Sequence, residues 1–373
     1  MKQGRTLVEL GRELERQRNA RKDFLADTRS LELTTDEQSA KLTVFVEDKA
    51  NEFTVTDLAH QQMASRLQIP FRYYQKMQKE YPILLDENVN SWFQRTPERR
   101  MVRVMDGKVR AFLSDRYRRL DNLELCSAVL PIIQEMKGAE IASCEVTDSH
   151  MYIKVINKKM KAEVSVGDVV QAGFVISNSE VGLGSLKVEP LIFRLVCKNG
   201  MIVKDYTQKK YHVGRQVETD EAAYEIYSDE TLAQDDKAFF MKVQDTVRCA
   251  VDEAKFMFTV DKMREAMQIP LEHDPVQTVE ILADKFLLNQ SERGDILRQL
   301  FMGRDNSRYG LLNAVTAASQ IVGSYERATD LERIGGEILA MPIPRNFILP
   351  SAEPINSSIK NITPLRKRLA AVQ

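Results

Sequence analysis

The middle of the chain places arginine and lysine beside aromatic residues, on segments whose alternating pattern predicts strands. Cations neutralise phosphates, and aromatic rings stack on bases without reading their identity, so this mixture is typical of single-strand binding surfaces. The alternative is a solvated sheet surface whose tyrosines anchor strands. The nucleic-acid-binding hypothesis rests on ten residues: Arg110, Arg116, Tyr117, Arg118, Arg119, Tyr152, Lys154, Lys158, Lys159 and Lys161.

The densest group of these residues is the segment 115–122, which reads DRYRRLDN and precedes a predicted helix. Asp121 or Asn122 can cap that helix, because a short polar side chain accepts hydrogen bonds from first-turn amides. Arg116, Arg118 and Arg119 have no such local duty. Since a helix amino terminus attracts anions, we expect these arginines to hold phosphate there.

Charge is strongly segregated along a chain whose net charge is only -1. Residues 91–215 carry 21 lysines and arginines against 14 aspartates and glutamates, an excess of seven positive charges. Residues 216–305 carry 10 against 20, an excess of ten negative charges. This asymmetry indicates a polyanion-binding face, or contact between the two segments.

Motifs for catalysis or metal binding are missing from the sequence. The four histidines lie far apart, and the glycine-containing stretch at 182–185 lacks the lysine of a phosphate loop. We therefore expect no catalytic residue, no metal site and no cofactor. A dispersed set of aspartates and glutamates, as in many nucleases, is the alternative that stays open.

Composition indicates a cytoplasmic globular protein. Of 373 residues, 43% are hydrophobic, which is enough for a sizeable core, yet no apolar run approaches the roughly 18 residues of a membrane helix. The four cysteines have no paired spacing, so we expect reduced thiols. We expect no membrane association, and a homo-oligomer is possible.

The hydrophobic patterns predict an α+β fold, with a central antiparallel β-rich domain, packed helices, an N-terminal helical module and a C-terminal helical region. Five segments follow: an arm with the first strand (1–55), a small helical module (56–96), a central basic β-rich domain (97–218), an acidic helical region (219–330) and a proline-containing tail (331–373). The three short helices of 56–96 suit either a helix-turn-helix reader of DNA or, more commonly, a packing module.

Three further predictions concern these segments. Asp106-Gly107 between alternating runs predicts a hairpin with a type I′ turn. Residues 91–215 are expected to form one antiparallel sheet with a helix at 121–136 on one face, and the acidic helices are expected to pack against it. Residues 233–266 are expected to form one long helix.

Three sequence blocks carry a family resemblance: FLSDRYRRLDN at 112–122, GDVVQAGFVISNSE at 167–180 and RLVCKNGM at 194–201. Together with NAVT at 313–316, they resemble the phage/plasmid-like protein family, over residues 56–328. One departure is that Ala317-Ala318 follows Thr316 where a Glu-Tyr pair is expected. The resemblance implies a gene of phages, prophages or conjugative plasmids, and it brings no established active site.

These observations lead to one expected function and two alternatives. We expect a mobile-element accessory protein that binds nucleic acid, preferentially single-stranded DNA, in recombination or replication. The order of elements is similar to that of ring-forming single-strand annealing proteins, although no motif is shared. The alternatives are a non-enzymatic structural or partner-binding protein of a phage or plasmid, and an unrecognised metal-dependent enzyme.

Overall fold

The computed structural model describes residues 1–36, 39–47, 49–117, 119–203 and 229–342. Within these residues the chain forms eleven α-helices and two sheets, one of six strands and one of five. The predicted α+β class is confirmed.

The first sheet is built mostly from the amino-terminal part of the chain. Its strands are β1 (Arg21–Asp27), β2 (Leu31–Thr35), β3 (Ala40–Val46), β4 (Lys49–Val55), β5 (Arg99–Met105) and β6 (Lys108–Ser114). They lie in the order β1-β5-β6-β4-β3-β2, and every neighbouring pair is antiparallel except β4 and β6. The segment 1–55, predicted to hold one strand, thus contains four.

Three short helices cover one face of this sheet. After α1 (Leu7–Ala20), the chain forms α2 (Asp57–Arg66), α3 (Phe71–Glu80) and α4 (Pro82–Arg95). Prolines at positions 70 and 82 separate them, because proline disfavours helical backbone in the residue before it. Their apolar sides bury Met63, Tyr74, Leu85, Val89 and Phe93 against the strands, so the module packs on its own sheet.

The second sheet is wholly antiparallel. It contains β7 (Ala139–Val146), β8 (Met151–Ser165), β9 (Asp168–Asn178), β10 (Lys187–Arg194) and β11 (Asn199–Ile202), in the order β11-β10-β9-β8-β7. Helix α5 (Asn122–Glu135) packs on one face together with α1. The prediction of a single sheet over 91–215 was wrong, because β5 and β6 pair with β1 and β4 instead.

The carboxyl-terminal part is helical, and its helices complete the cover of the second sheet. They are α6 (Asp229–Arg248), α7 (Glu253–Gln268), α8 (Pro275–Phe286), α9 (Gln290–Gly303), α10 (Arg308–Ala318) and α11 (Tyr325–Leu339). Val260 of α7 and Val243 of α6 lie in cores shared with the strands. The acidic helices described by the structure therefore pack against the second sheet, as expected.

Two boundaries in this region differ from expectation. The single helix predicted over 233–266 is two helices, because the Asp252 side chain accepts a hydrogen bond from the Lys255 amide and starts α7 there. The tail expected from residue 331 begins later. Leu331, Ile334 and Ile338 recur at helical spacing and bury one side of α11 in the core.

The hairpin between β5 and β6 follows the sequence prediction. Asp106 has a φ of 51° and Gly107 a φ of 73°, so both central residues are left-handed, as a type I′ turn requires. The strands pair from Met105 and Lys108 onward. The register shifts by one residue between Val104 and Arg103, so that Arg103 pairs with Ala111.

Backbone groups on the outer edge of β2 form hydrogen bonds with side chains of α4. The Leu33 amide donates to Asn90 Oδ1 at 2.8 Å, and Asn90 Nδ2 donates to the Leu33 carbonyl oxygen at 2.8 Å. Two residues along, the Thr35 amide donates to Asp86 Oδ2 at 2.7 Å. An amide and a carboxylate thus occupy the hydrogen-bonding positions of a seventh strand.

His60 of α2 is a buried neutral base in this module. Its Nδ1 lies 2.9 Å from the Tyr74 hydroxyl, and Gln78 lies 3.2 Å from Nε2. Burial lowers the pKa of His60 to about 4 from 6.5. Protonation is therefore opposed by the folded state but not by the unfolded chain.

We expect the free energy of unfolding to be lost as pH falls from about 6.5 to 4, by at most about 3 kcal/mol from His60, since the shift is roughly 2.5 units at 1.36 kcal/mol each. Urea unfolding at several pH values, followed by Trp92 fluorescence, measures this loss. His60→Gln should flatten the pH dependence of the free energy of unfolding in that window. The control His273→Gln, at an exposed loop residue, should leave this pH dependence unchanged. A pH dependence that survives in His60→Gln would contradict the assignment.

Candidate functional site

A buried arginine joins the two sheets. Arg103 of β5 is 0% exposed. Its Nε and Nη2 donate to Asp23 at 3.1 Å, its Nη2 also donates to Asp121 Oδ1 at 2.9 Å, and its Nη1 donates to the Glu180 carbonyl oxygen at 2.8 Å. Asp23 belongs to β1, Asp121 precedes α5 and Glu180 follows β9. One guanidinium therefore connects the first sheet, the helix and the end of the second sheet.

Two further arginines complete this cluster, which we call the charged junction: Arg21, Asp23, Arg103, Arg110, Asp121 and Glu180. Arg21 pairs with Asp121, and Arg110 pairs with Glu180. Burial alone would raise the pKa of Asp121, but Arg103 and Arg21 hold it below its ordinary value. Asp121 is thus held as a carboxylate, and the three arginines of the cluster equal its three acidic residues in number.

Glu180 and the neighbouring asparagines fix where α5 begins. Glu180 Oε1 accepts from the Asn122 amide at 2.6 Å, and Asn178 Nδ2 donates to Asn122 Oδ1 at 2.8 Å. The Asp121 side chain makes no capping hydrogen bond, because arginines use both its oxygens. The sequence-based expectation that Asp121 or Asn122 caps the helix is therefore replaced by a cap supplied from Glu180.

The predicted phosphate-binding turn lies directly on the charged junction. Arg119 is 52% exposed, with Nη1 3.3 Å from Asp23 Oδ2. Arg116 is half-buried, and Arg118 lies outside the described residues. The Tyr117 hydroxyl donates to the Ser179 carbonyl oxygen at 3.1 Å, and its ring packs beside a small apolar cluster. Tyr117 thus anchors the turn, and Arg119 reaches solvent.

Tyr152 and Lys154 of β8 are buried, which corrects their expected surface position. Both side chains lie on the face of β8 that α11 covers, where Tyr152 packs against Tyr325. Lys154 is 0% exposed, donates to Glu332 Oε2 at 2.6 Å and has its Nζ 4.7 Å from the Tyr325 ring centre. Neither residue is placed to reach a phosphate or a base.

The lysines at 158, 159 and 161 are exposed, and they lie far from the turn. The Lys158 amide donates to the Gly138 carbonyl oxygen, which brings Lys137 beside them. Met151 pairs with Asn178 next to the charged junction, and Lys158 is seven residues further along β8. At about 3.3 Å per residue the separation is roughly 23 Å. The two cationic groups are therefore separate surfaces.

A cleft of about 590 Å³ opens at the amino end of α5. Its cationic lining comes from Arg18 at the end of α1, Arg21 of β1 and Lys237 of α6, and its acidic lining from Asp121 and Glu124. Arg119 lies close enough to lower the pKa of Glu124, although burial and Asp121 raise it overall. Glu180 already accepts from the first amide of α5, so the attraction of this cleft for an anion comes mainly from its arginines and lysine.

Sequence reasoning located α5 and its arginine turn but missed Arg18, Arg21 and Lys237. These three residues come from elements that are far apart in the chain, and no spacing pattern links them. The structure assembles them because α1 and α6 both pack on α5. Arg110, the remaining predicted residue, is held in the charged junction by Glu180.

The two packed sheets and the charged junction define a two-sheet α+β architecture. Residues 110–320 match the family model described as "Domain of unknown function (DUF932)". The match covers more than half of the 373 residues, and the chain belongs to that family. No curated protein and no solved structure matches the chain.

None of the described helices is both long and apolar enough to cross a bilayer. Within the part of the chain that the structure describes, no three histidine, cysteine, aspartate or glutamate side chains lie together as a metal site would require.

We expect Arg103→Met to lower the free energy of unfolding by about 3–5 kcal/mol, because it leaves Asp23 and Asp121 buried without their shared cation. The matched control is Arg99→Met, at an exposed position of the same strand, which should change stability by less than about 0.5 kcal/mol. Urea unfolding followed by circular dichroism measures both. Equal effects of the two substitutions would contradict the role of the charged junction.

We also expect Lys154→Met to destabilise the protein by about 3–5 kcal/mol, because it leaves the buried Glu332 carboxylate unpaired. The double variant Lys154→Met, Glu332→Leu should be more stable than the single one, since replacing both members of a buried pair by apolar groups is often nearly neutral. Thermal unfolding of the three proteins tests this. A double variant less stable than Lys154→Met would count against it.

Proposed function

We propose that the chain binds nucleic acid, with a preference for single strands, and that the cleft at the amino end of α5 is a phosphate-binding position. The observation that carries this proposal is the convergence of Arg18, Arg21, Lys237 and Arg119 on a helix amino terminus. Arg21 is paired with Asp121, so the positive charge available in the cleft comes mainly from Arg18, Lys237 and Arg119. A phosphate would meet a positive field there.

The lysine patch formed by Lys137, Lys158, Lys159 and Lys161 is the second contact in this proposal. These side chains are exposed, and of the four only Lys158 is held in an ion pair, with Glu140, among the described residues. Lys158 lies roughly 23 Å along β8 from Met151, which is beside the charged junction, and one extended single strand of nucleic acid spans such a length. A polyanion that contacts both the cleft and the patch is favoured over a single small phosphate.

The biological setting belongs to the same proposal. The blocks at 112–122, 167–180 and 194–201 resemble the phage/plasmid-like protein family, which supports a mobile-element accessory role in recombination or replication. The charged junction joins the first two of these blocks through Asp121 and Glu180. Residues of the blocks that carry the family resemblance therefore fix the geometry of the cleft at α5.

A specific observation favours one alternative, a partner-binding or self-associating protein. Near the ends of α8 and α9, Leu287, Phe301 and Met302 are large apolar side chains that are exposed. Such side chains are candidates for a protein contact. Sedimentation in the absence of nucleic acid measures self-association through them.

The test of nucleic-acid binding is a salt series. We expect the affinity of the wild type for a labelled single-stranded oligonucleotide to fall steeply with salt, and the triple variant Arg18→Ala, Arg119→Ala, Lys237→Ala to lower the slope of log K against log salt by about 2, at roughly 0.7 per phosphate contact. Glu124→Gln, which removes a negative charge from the lining of the cleft, should raise the affinity for the oligonucleotide. Fluorescence anisotropy measures both.

The matched control removes three exposed cations from the acidic helices, in the variant Arg248→Ala, Lys285→Ala, Arg298→Ala. It changes the net charge equally and should leave the slope as in the wild type. An equal loss in both triple variants would mean non-specific attraction. Absence of binding at low salt would reject the proposal in favour of partner binding.

A further inference from the structure

Helices α3 and α4 expose large side chains that their packing on the first sheet does not use. Tyr73 is 49% exposed, Tyr81 60% and Trp92 43%, and Ile83 and Leu84 beside them are also exposed. The sheet-facing positions of the same helices are already filled by other aromatic and aliphatic residues. These exposed side chains therefore take no part in packing the helices on the first sheet.

Three of these side chains, Tyr81, Leu84 and Trp92, follow one another from the end of α3 along α4. Tyr81 ends α3 and precedes the first residue of α4, so a single residue connects the helices. Along α4, Leu84, Asn88 and Trp92 follow at four-residue spacing and form a row about 12 Å long. We call Tyr81, Leu84 and Trp92 the aromatic surface.

The charges around the aromatic surface favour an anionic partner. Exposed cations on α3 and α4 are Arg72, Lys76, Lys79 and Arg95. The exposed acids are Glu80, whose Oε2 lies 4.0 Å from Lys76 Nζ, and Glu87. Asp86 is half-buried and accepts hydrogen bonds from Thr35. The exposed cations thus exceed the exposed acids on this surface.

A polar atom within the row lacks a partner. Asn88 Oδ1 is buried and accepts no hydrogen bond from any described residue. Neither Leu84 nor the indole N–H of Trp92 donates to it. The exposed ring of Trp92 beside it is the group on which a nucleic-acid base can stack.

We propose that the aromatic surface stacks the bases of single-stranded nucleic acid, while the cleft at α5 and the lysine patch hold its phosphates. This inference rests on the proposed function and adds the part of the protein that meets the bases. Aromatic stacking tolerates any sequence and requires unpaired bases, so it explains a preference for single strands over duplex. A protein partner at the same surface is the competing outcome.

Trp92 is the only tryptophan in the chain, so its intrinsic fluorescence reports on this surface alone. We expect an unlabelled oligothymidylate of about 20 nucleotides, longer than a typical single-strand site, to quench Trp92 fluorescence, and the matching duplex to quench it much less. In anisotropy titrations, Trp92→Ala should weaken single-strand affinity about tenfold without changing the salt slope, and Trp92→Phe should weaken it less. Tyr81→Ala should weaken binding and retain the fluorescence probe.

The control is Phe301→Ala, which removes an exposed aromatic ring from α9 and should leave affinity unchanged. If the wild type binds the oligonucleotide with a steep salt dependence, but Trp92 is not quenched and Trp92→Ala binds as tightly as the wild type, only the stacking inference is overturned. If the wild type binds no oligonucleotide even at low salt, both proposals are overturned. Circular dichroism of each variant confirms that the fold is intact.

Discussion

The arrangement of this molecule depends on one buried cation, Arg103. Its guanidinium lies between two carboxylates from different elements and a backbone carbonyl from a third, in a region from which water is excluded. A buried charge is stable only with such complete pairing, so β1, the turn before α5 and the segment after β9 must meet in one geometry. The two sheets, which otherwise have separate cores, are thereby fixed relative to each other.

The family match begins in the middle of the charged junction, so the junction combines residues inside and outside the matched region. Residues 110–320 include Arg110, Asp121 and Glu180, whereas Arg103, Asp23 and Arg21 come before the match begins. The matched region therefore supplies two acids and one arginine of the junction, and the preceding sheet supplies two arginines and one acid. For this chain the first sheet completes the electrostatic balance of the matched region.

Local sequence patterns predicted those structural features that are determined by residues close together in the chain. Asp106-Gly107 specified its hairpin because two left-handed residues close a two-residue turn with the twist of the flanking strands. The same alternation could not show that Arg103 is buried, because a charged residue between valines on a strand ordinarily faces water. Likewise, Tyr152 and Lys154 alternate as an exposed face does, yet a helix almost 180 residues later covers them. The cationic cleft shares this origin, since its residues come from α1, β1, α5 and α6.

The side chains of α4 that cover the edge of β2 restrict how copies of this protein can associate. An open strand edge is a template for another strand, and pairing through it joins sheets into continuous assemblies. Asn90 and Asp86 already occupy the donor and acceptor of Leu33 and the donor of Thr35, so a second chain would have to displace α4 before it could pair there. While α4 stays in place the sheet does not grow at this edge, and copies that meet on this side of the molecule contact each other through side chains.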